Sequence, residues 1–122
     1  MTNHAPLKGR RILVVEDQYL LATEVCEWLV DAGAEVLGPV PDSLQARALI
    51  DAERPECAVI DINLGDGPVY DVANRLIERR VPFLFATGYG SRIVPEPYRD
   101  APILQKPFSL QELRSTLARI GL

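Results

Sequence analysis

CAVIDIN, residues 57–63, is the stretch whose reading decides how this chain folds. An unbroken apolar run, rich in β-branched side chains, arrives at a carboxylate, Asp61, and is followed by the polar Asn63. A run without polar alternation is what a strand covered on both faces requires, so residues 57–62 are expected to form a strand of a sheet with helices on both sides. Working outward, residues 11–15, 34–38, 82–86 and 103–105 are further short strand candidates, most of them equally apolar.

Helical periods separate these runs. Residues 18–32 place Leu21, Val25, Leu29 and Ala32 on one stripe, with Gly33 placed to end the helix. The second helix opens at Pro41-Asp42-Ser43, where Asp42 and Gln45 make an N-cap pair, and closes before Pro55. Residues 69–80 carry Val69, Val72, Ala73, Leu76 and Ile77 at helical spacing. The last helix begins with Ser109-Leu110-Gln111-Glu112, a capping box, and offers Leu110, Leu113, Leu117 and Ile120 to a core. Strand and helix alternating at this tempo imply right-handed crossovers. The expected fold is α/β: a flavodoxin-like five-stranded parallel sheet with helices on both faces. Residues 88–100 hold two glycines and two prolines, leaving space for little more than one helical turn. A short or disordered fourth helix is expected there.

Composition limits the function. The chain has 122 residues, 48% hydrophobic and 25% charged, enough for one compact domain with its own core. A tail over residues 1–9 and one domain over 10–122 are expected. Acidic residues outnumber basic ones 17 to 13, and no basic run is long enough to track a phosphate backbone. Nucleic acid is therefore not an expected partner. The N-terminus has no apolar signal region, and no stretch approaches the ~20 apolar residues of a membrane helix. No membrane contact and a cytoplasmic location are expected. Cys26 and Cys57 each sit in an apolar pattern without metal-ligand spacing, which reads as two buried, inert thiols. His4 stands alone in a polar stretch.

In an open parallel sheet, ligands bind outside the carboxyl ends of the strands. Here those ends read Glu16-Asp17, Asp61-Ile62-Asn63, Thr87-Gly88 and Lys106-Pro107. Singly, each has an ordinary explanation: Asp17 as a helix cap, Asp61 and Asn63 as turn residues, Thr87 bonded to its own backbone, Lys106 solvated. Together they are another matter. Two carboxylates about 4 Å apart repel by ~4 kcal/mol at an effective dielectric near 20, so three at one rim call for a cation. Oxygen ligands without His or Cys suit Mg²⁺ better than zinc. A carboxylate beside a metal, a hydroxyl and a lysine can attack a phosphoryl group, with the developing charge met by the metal, Lys106 and Thr87. The product would be an aspartyl phosphate.

With Glu16-Asp17, Asp61, Thr87 and Lys106-Pro107-Phe108 in that order on successive strand ends, residues 10–121 resemble the receiver domains of two-component response regulators. The resemblance implies that Asp61 accepts a phosphoryl group from a sensor histidine kinase or histidine phosphotransfer protein. It implies that Asp17, Asp61 and the Asn63 carbonyl hold Mg²⁺, with Glu16 acting through water. Thr87 and Lys106 would bind the phosphoryl oxygens, and Lys106–Pro107 would be a cis peptide. Such a chain would catalyse only its own phosphorylation and dephosphorylation.

Two places depart from the family's commonest pattern. Ile103 stands where a switch aromatic is usual. The stretch Phe85-Ala86-Thr87-Gly88-Tyr89-Gly90 is similar to the signature of a stand-alone receiver subgroup associated with alphaproteobacterial stress signalling. In that setting Tyr89 and Asn63 would tune the lifetime of the phosphoryl group, and Tyr89 would take over from the aromatic missing at 103. No output domain is expected after Ile120, so signalling would pass through contact with a downstream protein or through a phosphate sink. Alternatives from other classes are a non-phosphorylated pseudo-receiver acting as an interaction module, and a Toprim-like nucleotidyl-transfer domain. The second normally needs D-x-D and gives Lys106 no role. Flavin binding is disfavoured because no Ser/Thr/Gly-rich loop follows the first strand.

Overall fold

A computed structural model describes residues 7–64, 67–68, 70–88, 98 and 100–122. In chain order the elements are β1 (Arg11–Val15), α1 (Tyr19–Asp31), β2 (Glu35–Val40), α2 (Ser43–Glu53), β3 (Cys57–Asp61), β4 (Asn63–Leu64), β5 (Gly67–Pro68), α3 (Tyr70–Glu78), β6 (Phe83–Thr87), β7 (Ile103–Gln105) and α4 (Leu110–Arg119). Five strands form one parallel sheet in the order β2-β1-β3-β6-β7, as the flavodoxin-like reading expected. The pair β4 and β5, antiparallel just after β3, was not anticipated.

Alternate residues of the central strands feed two cores. Leu13, Val15, Ala58, Ile60, Phe83 and Phe85 pack toward α2 and α3, burying Ala46, Ile50, Val72, Ala73 and Leu76 with them. Ile12, Val14, Val59, Leu84 and Ala86 pack on the other side, with Val25 and Leu29 of α1 and Leu113 and Leu117 of α4. Covering both faces explains why the burial of β3 and β6 is unbroken. On α1 the buried stripe uses Ala22 rather than Leu21, which is only half-buried.

The caps follow the local sequence. Asp42 accepts from the Gln45 amide at 2.8 Å, and Ser109 and Glu112 close a reciprocal capping box at 3.0 and 2.8 Å. Gly33, with φ +99, follows α1 as expected. The second strand runs two residues beyond the expected 34–38, through a cis Gly38–Pro39 peptide. Proline is tolerated because β2 is an edge strand. Gly38 has φ +97, and a Cβ there would stand 2.9 Å from the Val14 carbonyl oxygen, so this position takes only glycine. Helix α3 is shorter than the expected 69–80 and ends before Arg80, which has φ +59; Val69 is outside the described residues.

Leu7, assigned by the sequence to the tail, is buried, and its amide donates to the Ala32 carbonyl at 2.9 Å. Most of the 88–100 segment expected to hold a short fourth helix lies outside the described residues, as does His4. Burial pushes the Cys57 thiol up to about 12, leaving no thiolate at neutral pH. Cys26 departs from the expected burial: it is only half-buried. No described helix is long and apolar enough to cross a membrane.

On the surface, Asp51 of α2 binds both Arg75 and Arg79 of the α3 side, the latter at 2.6 Å. Hydrogen bonds from Arg75 and Arg79 hold the Asp51 carboxyl below its ordinary value. A carboxyl lowered in the folded state stabilises above its unfolded pKa, about 3.9, and loses that contribution as pH falls through the lower folded value. Asp51→Asn should therefore melt below the wild type at pH 7, with the difference closing as pH drops below about 4. Parallel melting curves over pH 2–7 check this. An undiminished difference at the acid end would show that the carboxylate's charge is not responsible.

Candidate functional site

The carboxyl edge of the sheet collects the chemistry. Glu16 and Asp17 directly follow β1, Asp61 is the last residue of β3, Thr87 the last of β6, and Lys106 directly follows β7. Because β1, β3, β6 and β7 are consecutive neighbours, residues 90 positions apart in sequence meet there. Winding reverses between β1 and β3, so Asp61 and the Glu16-Asp17 pair flank the crevice that this topology opens.

Glu16, Asp17 and Asp61 can each bring a carboxylate oxygen within 4.8 Å of the others. Glu16, Asp61 and Thr87 are buried, at 7%, 4% and 3% exposure, whereas Asp17 faces solvent. The Lys106 ammonium enters this group, 3.0 Å from Glu16 Oε1 and 3.4 Å from Asp61 Oδ2. Its nearest partner is thus Glu16, a pairing the sequence did not suggest. Glu16 is further held through its own amide, which donates to the Val40 carbonyl at 3.0 Å. Its Oε2 also accepts from the Gln18 amide at 3.1 Å. Lys106 is placed by the sheet itself: its amide donates to the Thr87 carbonyl at 2.7 Å, extending the β6–β7 ladder by one residue. The Lys106–Pro107 peptide is cis.

The ordinary explanation of Asp17 fails. The N-cap of α1 is Gln18, whose side chain makes no cap bond, and the Gln18 amide is met by Glu16, so Asp17 is not the N-cap residue. Oxygens at about 2.1 Å from a magnesium ion lie up to about 4.2 Å apart, and the three carboxylates come close to that span. The donor set, all oxygen with one member exposed to solvent, fits a hard divalent cation that keeps part of its water shell.

Of the other expected positions, Asn63 has its backbone in β4, and its side chain lies outside the described residues. Tyr89 lies outside them altogether. Ile103 is half-buried, pairs in register with Phe85 and packs on the α2/α3 core. The same core receives Tyr98, which the sequence reading passed over. Its ring stacks on Tyr70 at 4.8 Å and meets Phe85 edge-on at 6.5 Å, and its hydroxyl donates to Asn74 Oδ1 at 2.8 Å. An aromatic residue from five positions earlier in the chain therefore joins the core that Ile103 packs on. The only hint in the sequence was a second tyrosine in that segment.

A parallel sheet wound in this order, with acidic residues, a threonine and a lysine at its carboxyl rim, defines the receiver domains of response regulators, and the chain belongs to that family. SdrG from Sphingomonas melonis Fr1 is 33% identical, with a TM-score of 0.82 over 93% of this chain and 98% of that one. The receiver domain of the Erythrobacter litoralis PhyR response regulator is 26% identical, with a TM-score of 0.78 over 93% of this chain and 91% of that one. The receiver domain of sensor histidine kinase PA1611 from Pseudomonas aeruginosa PAO1, whose structure has a magnesium ion coordinated in the active-site cleft, is 26% identical at a TM-score of 0.76, over 92% of this chain and 97% of that one. Among curated proteins, the transcriptional regulatory protein PdtaR of Mycobacterium tuberculosis is 30% identical over 108 residues, 85% of this chain. The chain spans about half the length of that relative, 53%. No family model matches the chain.

Proposed function

We propose that the chain is the phosphoryl-accepting receiver of a two-component phosphorelay and that Asp61 is the acceptor. The observation that carries this reading is the meeting of Asp61 with Glu16, Asp17 and the Lys106 ammonium at one crevice. An Asp61 carboxylate oxygen forms the new bond to phosphorus as the bond to the donor, a phosphohistidine nitrogen or the acyl oxygen of acetyl phosphate, breaks in line. Asp17, Asp61 and the Asn63 carbonyl would hold Mg²⁺, which when bound neutralises charge on the phosphoryl oxygens. Glu16, already engaged by Lys106, is better suited to contact that shell through water. Lys106 lies close enough to turn from Asp61 to a phosphoryl oxygen there, and the Thr87 hydroxyl would supply a second contact.

A sensor histidine kinase or a phosphotransfer protein is the proposed donor. The stress-signalling subgroup, tuning by Tyr89 and Asn63, and output by contact or as a phosphate sink belong to this same proposal. A second solution structure of SdrG, 32% identical to this chain, is of the BeF₃-activated conformation, which makes that mimic a suitable probe. The direct test is intact mass after incubation with acetyl phosphate. One phosphoryl adduct is expected with Mg²⁺ present and none with chelator. A chain that stays unmodified with Mg²⁺, while a phosphohistidine donor also fails to load it, overturns the proposal in favour of a pseudo-receiver.

A further inference from the structure

At the pole opposite the phosphoryl site, the fold assembles a basic cleft of about 540 Å³. Arg10, just before β1, Arg54, which ends α2, and Arg79 and Arg80, which follow α3, line it from three separate parts of the chain. Its aliphatic wall includes Ile50, Val81 and Ile120. The acidic side chain lining it is Glu56, 3.7 Å from Arg10, and Arg79 is shared with Asp51. Among the described residues, the guanidinium groups of Arg54 and Arg80 take part in no ion pair. This positive charge gathers on a chain whose net charge is −4.

The backbone supplies an independent sign. Arg54 and Arg80 are the two non-glycine residues with positive φ, +49 and +59, among those described. The left-handed conformation that closes a helix is met most cheaply by glycine or asparagine. Both positions carry arginine instead, and both arginines line the same cleft. Strain kept at two places in one site points to a use for the side chains placed there.

We propose that this cleft binds a small ligand carrying two or more linked phosphate groups. Guanidinium forks match phosphate oxygens bidentately, and four arginines lining one concavity, two of them outside any ion pair among the described residues, favour a multiply charged anion over a single phosphate. The volume falls within the range of about 300–1,000 Å³ usual for small-molecule sites, and the aliphatic wall can cover an apolar part of the ligand. The proposal is independent of the acceptor role of Asp61.

The test is a titration of the ¹⁵N-labelled full chain in Mg²⁺-free buffer with inorganic triphosphate, against orthophosphate. Saturable shifts are expected at the amides of Glu53, Arg54, Glu56, Arg79, Arg80 and Val81, with triphosphate binding at least about tenfold more tightly. The paired variant Arg54→Gly/Arg80→Gly should bind at least about tenfold more weakly while melting no lower than the wild type, because glycine adopts the left-handed conformation freely. Unchanged affinity in that variant, equal binding of orthophosphate, or shifts centred elsewhere would each overturn the proposal. So would a hexaglutamate peptide that binds as tightly as triphosphate. Arg54→Gln/Arg80→Gln, which removes the charge but keeps a polar side chain at each position, guards against a misfolded glycine variant and should lose binding equally.

Discussion

Asp61→Asn should take up no phosphoryl group under conditions that load the wild type completely, and it should melt no lower than the wild type in Mg²⁺-free buffer. The first half follows from chemistry: an amide oxygen has neither the charge nor the nucleophilicity to attack phosphorus at neutral pH. The second half follows from the site. Asp61 and Glu16 are both buried, and two carboxylates at this separation repel by several kcal/mol at an effective dielectric near 20. Neutralising Asp61 relieves that repulsion without orphaning Lys106, which keeps Glu16 at 3.0 Å. Magnesium should then raise the melting temperature of the wild type and leave that of the variant nearly unchanged, because one of three carboxylates is gone. Intact mass and melting curves with and without Mg²⁺ measure both halves. If the variant is strongly destabilised without the metal, the carboxylates are not in conflict and the electrostatic account fails.

Lys106→Met should destabilise the metal-free protein by ~3 kcal/mol, because it removes the cation from a pair of buried carboxylates and leaves them uncompensated. Methionine preserves most of the aliphatic stem, so lost packing contributes little. Saturating Mg²⁺ should restore much of the loss, since a ligand at about 100 times its dissociation constant stabilises by ~2.7 kcal/mol. Phosphoryl uptake should slow, because the ammonium now beside Asp61 would no longer meet the developing charge. Denaturant unfolding at two Mg²⁺ concentrations checks the exchange of one cation for another. Equal stability of variant and wild type in chelator would mean that Lys106 is a solvated surface lysine after all.

Together these variants separate two properties of one crevice. Asp61→Asn removes the proposed acceptor while easing electrostatic strain, whereas Lys106→Met keeps it and increases that strain. A chain folded as described but without phosphoryl chemistry would still show the opposite stability changes. Opposite stability changes with intact loading in Asp61→Asn would instead move the acceptor to another residue, for which Asp17, exposed at the same rim, is the obvious position.

Much of this was legible residue by residue. The unbroken run before Asp61, the Asp42 and Ser109 caps and the helical stripes are local patterns, and local patterns report local structure. Boundaries slipped where a tertiary constraint intervened: β2 continues past Gly38 because an edge strand tolerates Pro39, and α3 stops short before left-handed Arg80. The preference of Lys106 for Glu16, the stacking of Tyr98 on Tyr70 and the arginine cleft had no local signal.

By itself, the sequence determined which groups stand at the ends of the strands, because a strand's polar terminus is written next to its apolar run. Tertiary structure alone decided which of those ends are neighbours and at what distance. The order β2-β1-β3-β6-β7 brings Glu16, Asp61 and Lys106 to one rim and Arg10, Arg54 and Arg80 to the other. Contacts between residues 45 and 90 positions apart depend on how the crossover helices pack against the sheet, a property of the whole core that no short window of sequence contains.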